Sequence, residues 1–451
     1  MGVSPGFQCK TRCVWVTEAI AHGLVLQTVS CVPQTGCPSP PSPFRTRLSE
    51  INPVMSEVTC RPVENRRDQK AFLELERRLY RDDPNWVPPL WGERKKLVGF
   101  KHHPFWLDAE GQTFLVRRGD KVVGRVLACV NHAHNRAHKD RVGFFGFFEC
   151  ENDPDAAIVL LDTACDWLRE RDMTIARGPI HPSLNYEVGL LVDGFDTPPT
   201  FLITYNHPYY ESLIHAAGFV KEQDVFSYEA SIDILNHLDP KLMFIIEEAQ
   251  KRFKTSTRPI RSSHFDEDVR IFLEIYNQSL KQTWGYVPMS EAEIVEQSNG
   301  LKQLLVPQLT SIAEIDGKPV GAGFGLLDYN PIIRRIGGKL LPFGWLHLLM
   351  GRKKLTRLRM VSANVLPEYQ KWGLGLVTLY PIVPAAVDFG IQVGEFSWVL
   401  ESNQLSRGTI QRGGAKATKT HRIYDRPLTS GASNGSSADE ALSSTGQGST
   451  S

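Results

Sequence analysis

Gly373 and Gly375 lie in the segment whose residue types and spacing are best suited to chemistry. The stretch from Val365 to Gly375 reads Val-Leu-Pro-Glu-Tyr-Gln-Lys-Trp-Gly-Leu-Gly. It follows a strand that we predict over residues 355–364 and opens a helix that we predict over residues 377–389. Glycines at such a junction let successive backbone N–H groups converge on one point, beside the positive end of a helix. The chemistry that this arrangement predicts is the binding of a phosphate group.

The charge around this glycine loop favours the same kind of ligand. The chain has a formal net charge of only +1, so no global field points to nucleic acid or to a membrane. From Arg334 to Arg426, however, fifteen lysines and arginines stand against five acids. Such a region suits a small ligand with several phosphates. The alternatives are a solvated basic face and a nucleic-acid surface, and we expect no nucleic-acid partner.

Two hairpin patterns indicate an internal duplication around this segment. Residues 114–125 and residues 312–322 each read as strand, tight turn and strand, with a Gly-Asp or Asp-Gly turn signal. Each is followed by an apolar strand, a helix, another strand and a final helix. This order predicts an α/β architecture in which helices cover a mixed central sheet.

The two halves differ at the point that corresponds to the glycine loop. After Phe148 and Glu149 the first half reads Cys-Glu-Asn-Asp-Pro-Asp, without glycine and with three further acids. Carboxylates there would repel a pyrophosphate, so we expect only the second half to bind one. The phenylalanine-rich strand over residues 143–148 is expected to belong to the core.

The spacing Gln-x-x-Gly-x-Gly resembles the acyl-CoA pyrophosphate loop of the GNAT (Gcn5-related N-acetyltransferase) superfamily. Behind it, a predicted strand ends in Asn403, a helix follows, and a Gly-Gly pair leads to a strand that carries Tyr424. This order is similar to the C-terminal motif of the superfamily. The whole of residues 58–428 looks like a bacterial family of two-domain GNAT-related proteins. The resemblance implies two tandem GNAT-like domains and acetyl-CoA or another acyl-CoA as co-substrate.

The predicted domain organisation has four parts. Residues 1–57 are a disordered or misassigned extension, since Met55 precedes the first strand-like pattern and is an alternative start. Residues 58–230 are a degenerate GNAT-like domain, and residues 231–428 are the GNAT domain with the acyl-CoA loop. Residues 429–451 consist almost wholly of small and polar residues and predict a disordered tail.

The resemblance also implies a set of site residues. The expected acyl-CoA contacts are Asn364, Val365, Gln370, Lys371, Trp372, Gly373, Leu374, Gly375 and Asn403. Many members of the superfamily place a tyrosine acid seven residues after the helix-opening asparagine, and Ile410 stands at that position here. We therefore expect Tyr424 or a water as the acid and Glu401 as the base. A salt bridge to a nearby arginine is the alternative role for Glu401, and a helix N-cap is the alternative or additional role for Asn403.

These residues predict an acyl-CoA-dependent N-acyltransferase, most simply an N-acetyltransferase. Its acceptor would be an amine-bearing small molecule or peptide held between the domains. Two alternatives stay open, a non-catalytic protein that binds CoA or regulates, and an aminoacyl-tRNA-dependent peptidyl transferase. The strongly apolar run from Leu340 to Met350 leads into three basic residues. It either contacts a membrane surface or a lipidic acceptor, or it packs on the neighbouring domain or lines the acceptor pocket.

The remaining signals concern compartment and metals. The eight cysteines show no close pairing pattern, and no apolar run suits a transmembrane span, so we expect a cytoplasmic protein. Four cysteines lie in the first forty residues, but their spacing lacks a zinc knuckle, and we expect no metal site. Histidines 132, 134 and 138 match no ligand geometry and predict a solvated loop.

Overall fold

The computed structural model describes residues 57–428, which fold around one long mixed sheet. Residues 1–56 of the predicted extension and the predicted tail at 429–451 lie outside the described residues. The strands are β1 (Val58–Pro62), β2 (Ala109–Arg118), β3 (Lys121–Asn131), β4 (Val142–Cys150), β5 (Ile175–Gly178), β6 (Ile180–His181), β7 (Glu187–Val188), β8 (Leu190–Asp193), β9 (Val220–Ser231), β10 (Ser256–Arg258), β11 (Thr310–Ile315), β12 (Lys318–Leu327), β13 (Arg357–Val365), β14 (Val393–Leu400) and β15 (Lys416–Pro427). The helices are α1 (Arg66–Leu79), α2 (Trp91–Leu97), α3 (His132–His138), α4 (Pro154–Arg169), α5 (Tyr210–Ala216), α6 (Ile232–Asn236), α7 (Pro240–Phe253), α8 (Phe265–Ser279), α9 (Glu291–Leu301), α10 (Asn330–Arg335), α11 (Gly344–Gly351), α12 (Leu374–Leu379), α13 (Ile382–Phe389) and α14 (Gln404–Arg412).

The sheet confirms the predicted tandem α/β architecture. Its strand order is β1-β2-β3-β4-β5-β15-β9-β14-β13-β12-β11-β10, with β8 added beside β15. The pairs β4 with β5 and β13 with β14 are parallel, whereas their neighbours in the order pair antiparallel. Each half therefore contributes one parallel pair, flanked by a hairpin, to a single sheet.

The last strand of each half lies in the other half's part of the sheet. Strand β9 follows α5 of the first half, yet it pairs with β14 of the second half. Strand β15, at the end of the second half, pairs with β5 of the first half. The two exchanged strands also pair with each other along most of their lengths. Because the halves share this continuous sheet, the domain boundary at residues 230 and 231 stays a prediction.

The strand register confirms the predicted hairpins and shows which residues of the two halves correspond to each other. In the first half, Arg125 on β3 lies opposite Glu149 on β4. In the second half, Ala322 on β12 lies opposite Asn364 on β13. Each pair comes one residue after a Val-Gly step in the hairpin. Glu149 and Asn364 therefore occupy equivalent positions in the two halves.

Helices cover both faces of the sheet, as predicted. Alternate residues of β3 belong to two different core clusters, because Val126 packs with the α4 side and Leu127 with the α1 side. In the second half, Phe272 of α8 packs on Phe324. Helices α12 and α13 cover the other face, where glycines of β12 admit Thr378 and Ile382. The described residues contain no helix long and apolar enough to cross a membrane.

Two predictions about local structure are wrong. The predicted helix over residues 377–389 begins earlier, at Leu374, and is divided into α12 and α13 around Pro381, which cannot donate a backbone hydrogen bond. The predicted solvated loop at the three histidines is helix α3. His134 is only 1% exposed and packs edge-on against Phe144, so an apolar neighbour that is distant in sequence explains the error.

Candidate functional site

The site begins where β13 and β14 diverge. The two strands pair from Arg357 to Met360 on β13, and no pairing continues beyond that point. Strand β14 goes on beside β9, and β13 goes on beside β12. A one-residue bulge at Val361 accompanies the separation, since Phe324 lies opposite Ser362 and the next residue lies opposite Met360. The β14-facing edge of β13 is thereby freed from Val361 onward.

This free edge lines a cavity of about 1200 Å³ that extends into both halves. Residues 360–365 of β13 and residues 396–400 of β14 form one part of its wall. Helix α8 adds a mainly apolar part that includes Val269, Phe272 and Leu273, whereas the lining residues of α9 are mostly polar. Residues of the first half, from β4 and the segment around β6 and β7, form a polar part. Since β4 and β13 are five inter-strand steps apart, the cavity crosses about 24 Å of sheet.

The predicted glycine loop lies at the second-half end of the cavity. Five of the predicted loop contacts line it, namely Val365, Gln370, Lys371, Gly373 and Gly375. The Gln370 amide nitrogen donates to the carbonyl oxygens of Val365 and Ser279, each at 3.1 Å, and so ties the loop to β13 and α8. Gly373 has a φ of +78°, and a Cβ atom there would lie 2.4 Å from Ile245 of α7. Glycine is therefore required at position 373 for both conformation and packing.

The other predicted contact residues have different environments. Asn364 lines the cavity and hydrogen-bonds to Ser362. Trp372 and Leu374 do not line it, because the Trp372 ring packs against Arg252 at 4.0 Å and Leu374 is fully buried. The predicted contact of these two side chains with acyl-CoA therefore has no support from the lining of the cavity. Contacts through the backbone of the loop stay a prediction.

Asn403 opens α14 at the cavity wall. Its side chain accepts a hydrogen bond from the Ser406 backbone N–H at 3.1 Å, which confirms the N-cap role. Ser406, Thr409 and Ile410 of the same helix also line the cavity. The position where a tyrosine acid was expected is thus in the wall, but it carries an apolar side chain. The Ser406 hydroxyl, one turn earlier, has no side-chain hydrogen-bond partner among residues 57–428.

The structure does not bring the two predicted catalytic residues to the cavity. Glu401 forms an ion pair with Lys221 at 2.9 Å, as in the salt-bridge alternative but with lysine as the partner. Tyr424 is buried in the first-half core and donates to Glu211 at 2.9 Å. Neither residue is part of the cavity wall. Their catalytic role stays a prediction without a supporting contact.

Part of the positive charge that the sequence analysis counted around the glycine loop is neutralised in the structure. Several of the fifteen cations counted there form ion pairs with acids outside the stretch. Arg357 pairs with Glu229, Arg422 with Asp224, and Arg426 with Asp162. Lys371 and Arg412 remain at the cavity wall. The excess positive charge at the loop is therefore smaller than the sequence count indicates.

The first half contributes a buried charged wall that the sequence reasoning missed. Arg125, only 1% exposed, donates to the Glu76 carboxylate and to the Phe72 carbonyl, each at 2.6 Å. Arg94 lies 3.6 Å from Glu76 and 3.4 Å from Glu187. Except for Phe72, these residues line the cavity. Arg125 is the residue by which the sequence could have indicated this charged wall, because the equivalent position of the second hairpin is Ala322.

Glu149 is the most perturbed carboxyl group of this wall. Its Oε2 accepts hydrogen bonds from the Tyr80 hydroxyl at 2.9 Å and the Tyr210 hydroxyl at 2.7 Å. Burial raises its pKa to about 7, against the opposing effect of Arg125. Glu76 adds to the rise because its negative charge is close. Near neutral pH, Glu149 therefore exchanges a proton readily while it stays in place.

His181 presents a hydrogen-bond donor to the same cavity. Its Nδ1 accepts from the Phe147 backbone N–H at 2.8 Å, at a residue whose φ is +51°. Burial lowers the pKa of His181 well below its usual range, and Arg94 and Arg125 lower it further. The ring is therefore neutral, and with Nδ1 as acceptor its proton is on Nε2. His181 can donate through Nε2 but does not act as a base in this arrangement.

Arg359 connects the polar wall with the cleft between β13 and β14. It donates to Ser397 and to the carbonyl oxygens of Phe201 and Leu202 at 2.9 to 3.2 Å, and all of these acceptors are neutral. Burial lowers its pKa to about 10, and nearby carboxylates including Glu187 oppose that shift. The guanidinium is thus a buried cation at the cleft, within electrostatic reach of Glu187.

The equivalent cleft of the first half is filled. Strands β4 and β5 pair over three residues from Val142 and then diverge. The main chain of Ile180 enters the gap so closely that a Cβ atom on Gly146 would lie 1.9 Å from its carbonyl oxygen. The helix that follows, α4, has its N-terminus capped by Asp153, which pairs with Arg118. The corresponding cleft is therefore filled in the first half, and the expectation that only the second half binds a pyrophosphate stays a prediction.

Among the described residues, no cluster of three or more histidine, cysteine or acidic side chains is placed to hold a metal ion. The four cysteines in this part of the chain are free thiols.

The described residues have a tandem GNAT-like fold. Among solved structures, a tandem GNAT protein from the clavulanic acid biosynthesis pathway has a TM-score of 0.50 at 11% identity, covering 83% of this chain and 100% of that chain. That likeness shows the fold alone. No family model matches the sequence.

Two curated proteins show the family. The bacterial ceramide synthase of Caulobacter vibrioides is 34% identical over 386 residues, which covers 83% of this chain and 98% of that protein. The protein YghO of Escherichia coli is 31% identical over 392 residues, which covers 84% of this chain and 98% of that protein. The chain belongs to the family of these two proteins.

Proposed function

We propose that this protein is an acyl-CoA-dependent N-acyltransferase that transfers a long-chain acyl group to a long-chain amine, such as an amino alcohol. The observation that carries the proposal is the single cavity of about 1200 Å³ that joins the cleft and the glycine loop to the charged wall. An acetyl group would occupy little of this volume. The sequence expectation of an acetyl donor is therefore replaced in this proposal by a long acyl chain.

The donor is assigned to the second half. The free edge of β13 from Val361 to Val365 offers backbone groups to the amide-bearing arm of CoA, as an added strand would. The loop at Gln370 to Gly375 accommodates the pyrophosphate. The apolar wall from α8 accommodates a hydrocarbon chain, whose transfer from water is favourable by about 0.8 kcal/mol per methylene.

The acceptor amine is assigned to the region between Arg359 and the charged wall. Glu187 is the most exposed carboxylate of this wall, with a side chain 20% exposed against 6% for Glu76 and 10% for Glu149, so it is the group we assign to the ammonium. It takes one proton as the ammonium becomes an amine. The amine nitrogen then attacks the thioester carbon, the C–N bond forms and the C–S bond breaks. The second proton of the nitrogen reaches the leaving sulfur through the Ser406 hydroxyl, which we propose in place of a tyrosine. The hydroxyl gives its own proton to the sulfur and takes up the proton from the nitrogen.

The name of the Caulobacter relative supports the acceptor class. A ceramide is the amide of a fatty acid with a long-chain amino alcohol, and the relative is called a ceramide synthase. The donor nitrogen of His181 and the carboxyl of Glu149 in the same wall suit the hydroxyl groups of such an acceptor.

The test is a comparison of acyl-CoA chain lengths with purified protein. Palmitoyl-CoA should bind at least about a hundredfold more tightly than acetyl-CoA, because even a few buried methylenes supply that difference. Thiol release should require both palmitoyl-CoA and an amine, and it should be fastest with a long-chain amino alcohol. Equal affinity for the two esters would refute the long-chain donor. Binding without thiol release would instead favour the non-catalytic alternative.

The glycine loop is tested by Gly375→Asp. Gly375 lines the cavity, and a Cβ atom there would meet nothing within 4 Å, so the fold tolerates a side chain. A carboxylate near the pyrophosphate should weaken CoA binding at least tenfold, since like charges about 4 Å apart repel by about 4 kcal/mol at an effective dielectric constant of about 20. The matched control is Gly408→Asp, which lies in α14 with equally open space and is not in the cavity wall. Unchanged CoA affinity in Gly375→Asp would show that the loop is only a turn.

A further inference from the structure

An exposed apolar surface surrounds α11. Leu341 is 80% exposed, Phe343 66%, Trp345 41% and Met350 78%. We call these four residues the apolar ridge. They lie within ten residues of sequence, in the short loop before α11 and in the helix itself. Large apolar side chains concentrated in this way indicate a surface that is covered in function.

The surface beside the ridge is basic. Between Asn330 and Leu355 the chain has six lysines and arginines and no acid. They are Arg334, Arg335, Lys339, Arg352, Lys353 and Lys354. None of the six forms a salt bridge with a carboxylate in the part of the chain that the structure describes. The charge of this basic cluster is therefore available to an anionic partner.

The same segment also forms part of the cavity wall. Leu340, Trp345, Leu348 and Leu349 line the cavity, while the apolar ridge faces outward on the same short stretch of chain. Trp345 belongs to both sets. The segment is thus a thin boundary between the apolar cavity and the outer surface.

The neighbouring part of the first half anchors this boundary. Trp91 Nε1 donates to the Gly337 carbonyl oxygen at 3.0 Å, and the backbone N–H of Trp91 donates to the Gly338 carbonyl oxygen at 3.2 Å. Just before Trp91, residues 86–90 line the cavity. The position of α11 is therefore held from both halves, and the apolar ridge is a fixed feature of the surface.

We propose that the apolar ridge and the basic cluster dock on the surface of an anionic lipid bilayer, and that the boundary at α11 is the entrance for a membrane-resident long-chain amine. Apolar side chains enter the acyl boundary of the bilayer while lysines and arginines contact anionic headgroups. Helix α11 has eight residues, which is too short to span a bilayer, so the contact is peripheral. The entrance role rests on the proposed function, whereas the docking does not.

Bilayer docking is tested by sedimentation with vesicles of phosphatidylcholine alone and of phosphatidylcholine with about 30% phosphatidylglycerol. The wild-type protein should partition at least tenfold more strongly to the anionic vesicles, and the difference should fall with added salt. The ridge variant Phe343→Ser/Met350→Ser should lose at least tenfold of its vesicle binding. The charge variant Lys353→Glu/Lys354→Glu should lose the preference for anionic vesicles.

Two matched controls separate this surface from general effects. Leu107→Ser/Val220→Ser removes apolar side chains that are 73% and 59% exposed elsewhere on the protein. Lys101→Glu/Lys318→Glu makes the same change in net charge at exposed positions away from α11. Both controls should bind vesicles as the wild type does. Equal losses in the controls would overturn the assignment to this surface.

Activity measurements distinguish the entrance role from the proposed function. None of the four substituted ridge and cluster residues lines the cavity, so turnover of palmitoyl-CoA with a short, water-soluble amine should be unchanged in both variants. Turnover of a long-chain amine embedded in anionic vesicles should fall at least tenfold. If the wild type acylates neither amine, the proposed function fails while the docking result stands. If the wild type does not bind vesicles and the ridge variant changes from dimer to monomer, the ridge is an interface between copies and the docking proposal is overturned.

Discussion

When Glu149 is replaced with glutamine, the free energy of unfolding of the variant minus that of the wild type should be larger at pH 8 than at pH 5. Burial raises the pKa of Glu149 from 4.5 to about 7. Between these values the folded state holds a proton that the unfolded state has released. The free energy of unfolding therefore falls as the pH rises through this window. Glutamine keeps an oxygen that can accept from Tyr80 and Tyr210 but cannot ionise.

The size of the effect follows from the two pKa values. Between pH 5 and pH 8, a carboxyl group whose pKa is 4.5 unfolded and about 7 folded reduces the free energy of unfolding by about 2.5 kcal/mol. The neighbouring Glu76 does not add to this change. Although burial acts to raise its pKa, Arg94 and Arg125 hold it below 4.5, so Glu76 is ionised in both states throughout the interval.

The assay is urea denaturation of both proteins at pH 5 and at pH 8. The histidines also make stability depend on pH, because burial lowers the pKa of His181 well below 6.5 and that of His421 to about 4. For such groups, stability rises with pH as the unfolded state loses its proton. These contributions are the same in wild type and variant and cancel in the difference between them. The free energy of unfolding of Glu149→Gln minus that of the wild type should rise by about 2 to 3 kcal/mol from pH 5 to pH 8.

The matched control is Glu74→Gln on the exposed side of α1. The Glu74 side chain is 62% exposed and pairs with Lys70 at 3.6 Å on the helix surface, so water reaches it in the folded state. Its difference from the wild type should be the same at both pH values. If Glu149→Gln also shows the same difference at pH 5 and pH 8, Glu149 is not held protonated by burial, and the account of the charged wall is refuted.

Two further predictions concern the reaction and the packing of the first half. Glu187→Gln should lower kcat at least a hundredfold with little change in KM for palmitoyl-CoA, and Ser406→Ala should lower kcat by a smaller factor. Both constants are measured by steady-state thiol release. An unchanged kcat in Glu187→Gln would exclude Glu187 as the base. Gly146→Ala should destabilise the protein by at least about 3 kcal/mol in denaturant, since the new Cβ would lie 1.9 Å from the Ile180 carbonyl oxygen. Gly408→Ala, whose Cβ meets nothing within 4 Å, should instead be neutral or stabilise by up to about 1 kcal/mol; similar losses in both variants would contradict the filled cleft.

The parts of the fold that sequence could predict are those that local patterns encode. The turn signals at the two hairpins, the apolar strands after them and the glycine loop led to the tandem α/β architecture. The exchange of β9 and β15 between the halves could not be predicted in this way. A strand's alternating pattern records which face is buried, but it does not record which of two similar edges the strand joins.

The candidate site divides along the same line. The loop from Gln370 to Gly375 was predictable because its glycines and its position before a helix are local features. The charged wall was not, because the partners of Glu149 are Tyr80, which follows α1, and Tyr210 of α5, each more than sixty residues away. Glu401 and Tyr424 were chosen from sequence position within the strands. Their side chains instead meet Lys221 and Glu211, which the distant parts of the chain supply.

The equivalence of Glu149 and Asn364 shows how one duplicated scaffold can do two different tasks. At Asn364 the cleft stays open, and the freed edge of β13 can receive a donor. At Glu149 the cleft is filled by the main chain of Ile180, and the space beside it holds charged groups that suit an acceptor. A transfer between the two needs a fixed distance between cleft and wall. The exchanged strands β9 and β15 supply it, because each pairs with strands of the opposite half and the two pair with each other, so the cleft and the charged wall cannot move independently without breaking the sheet.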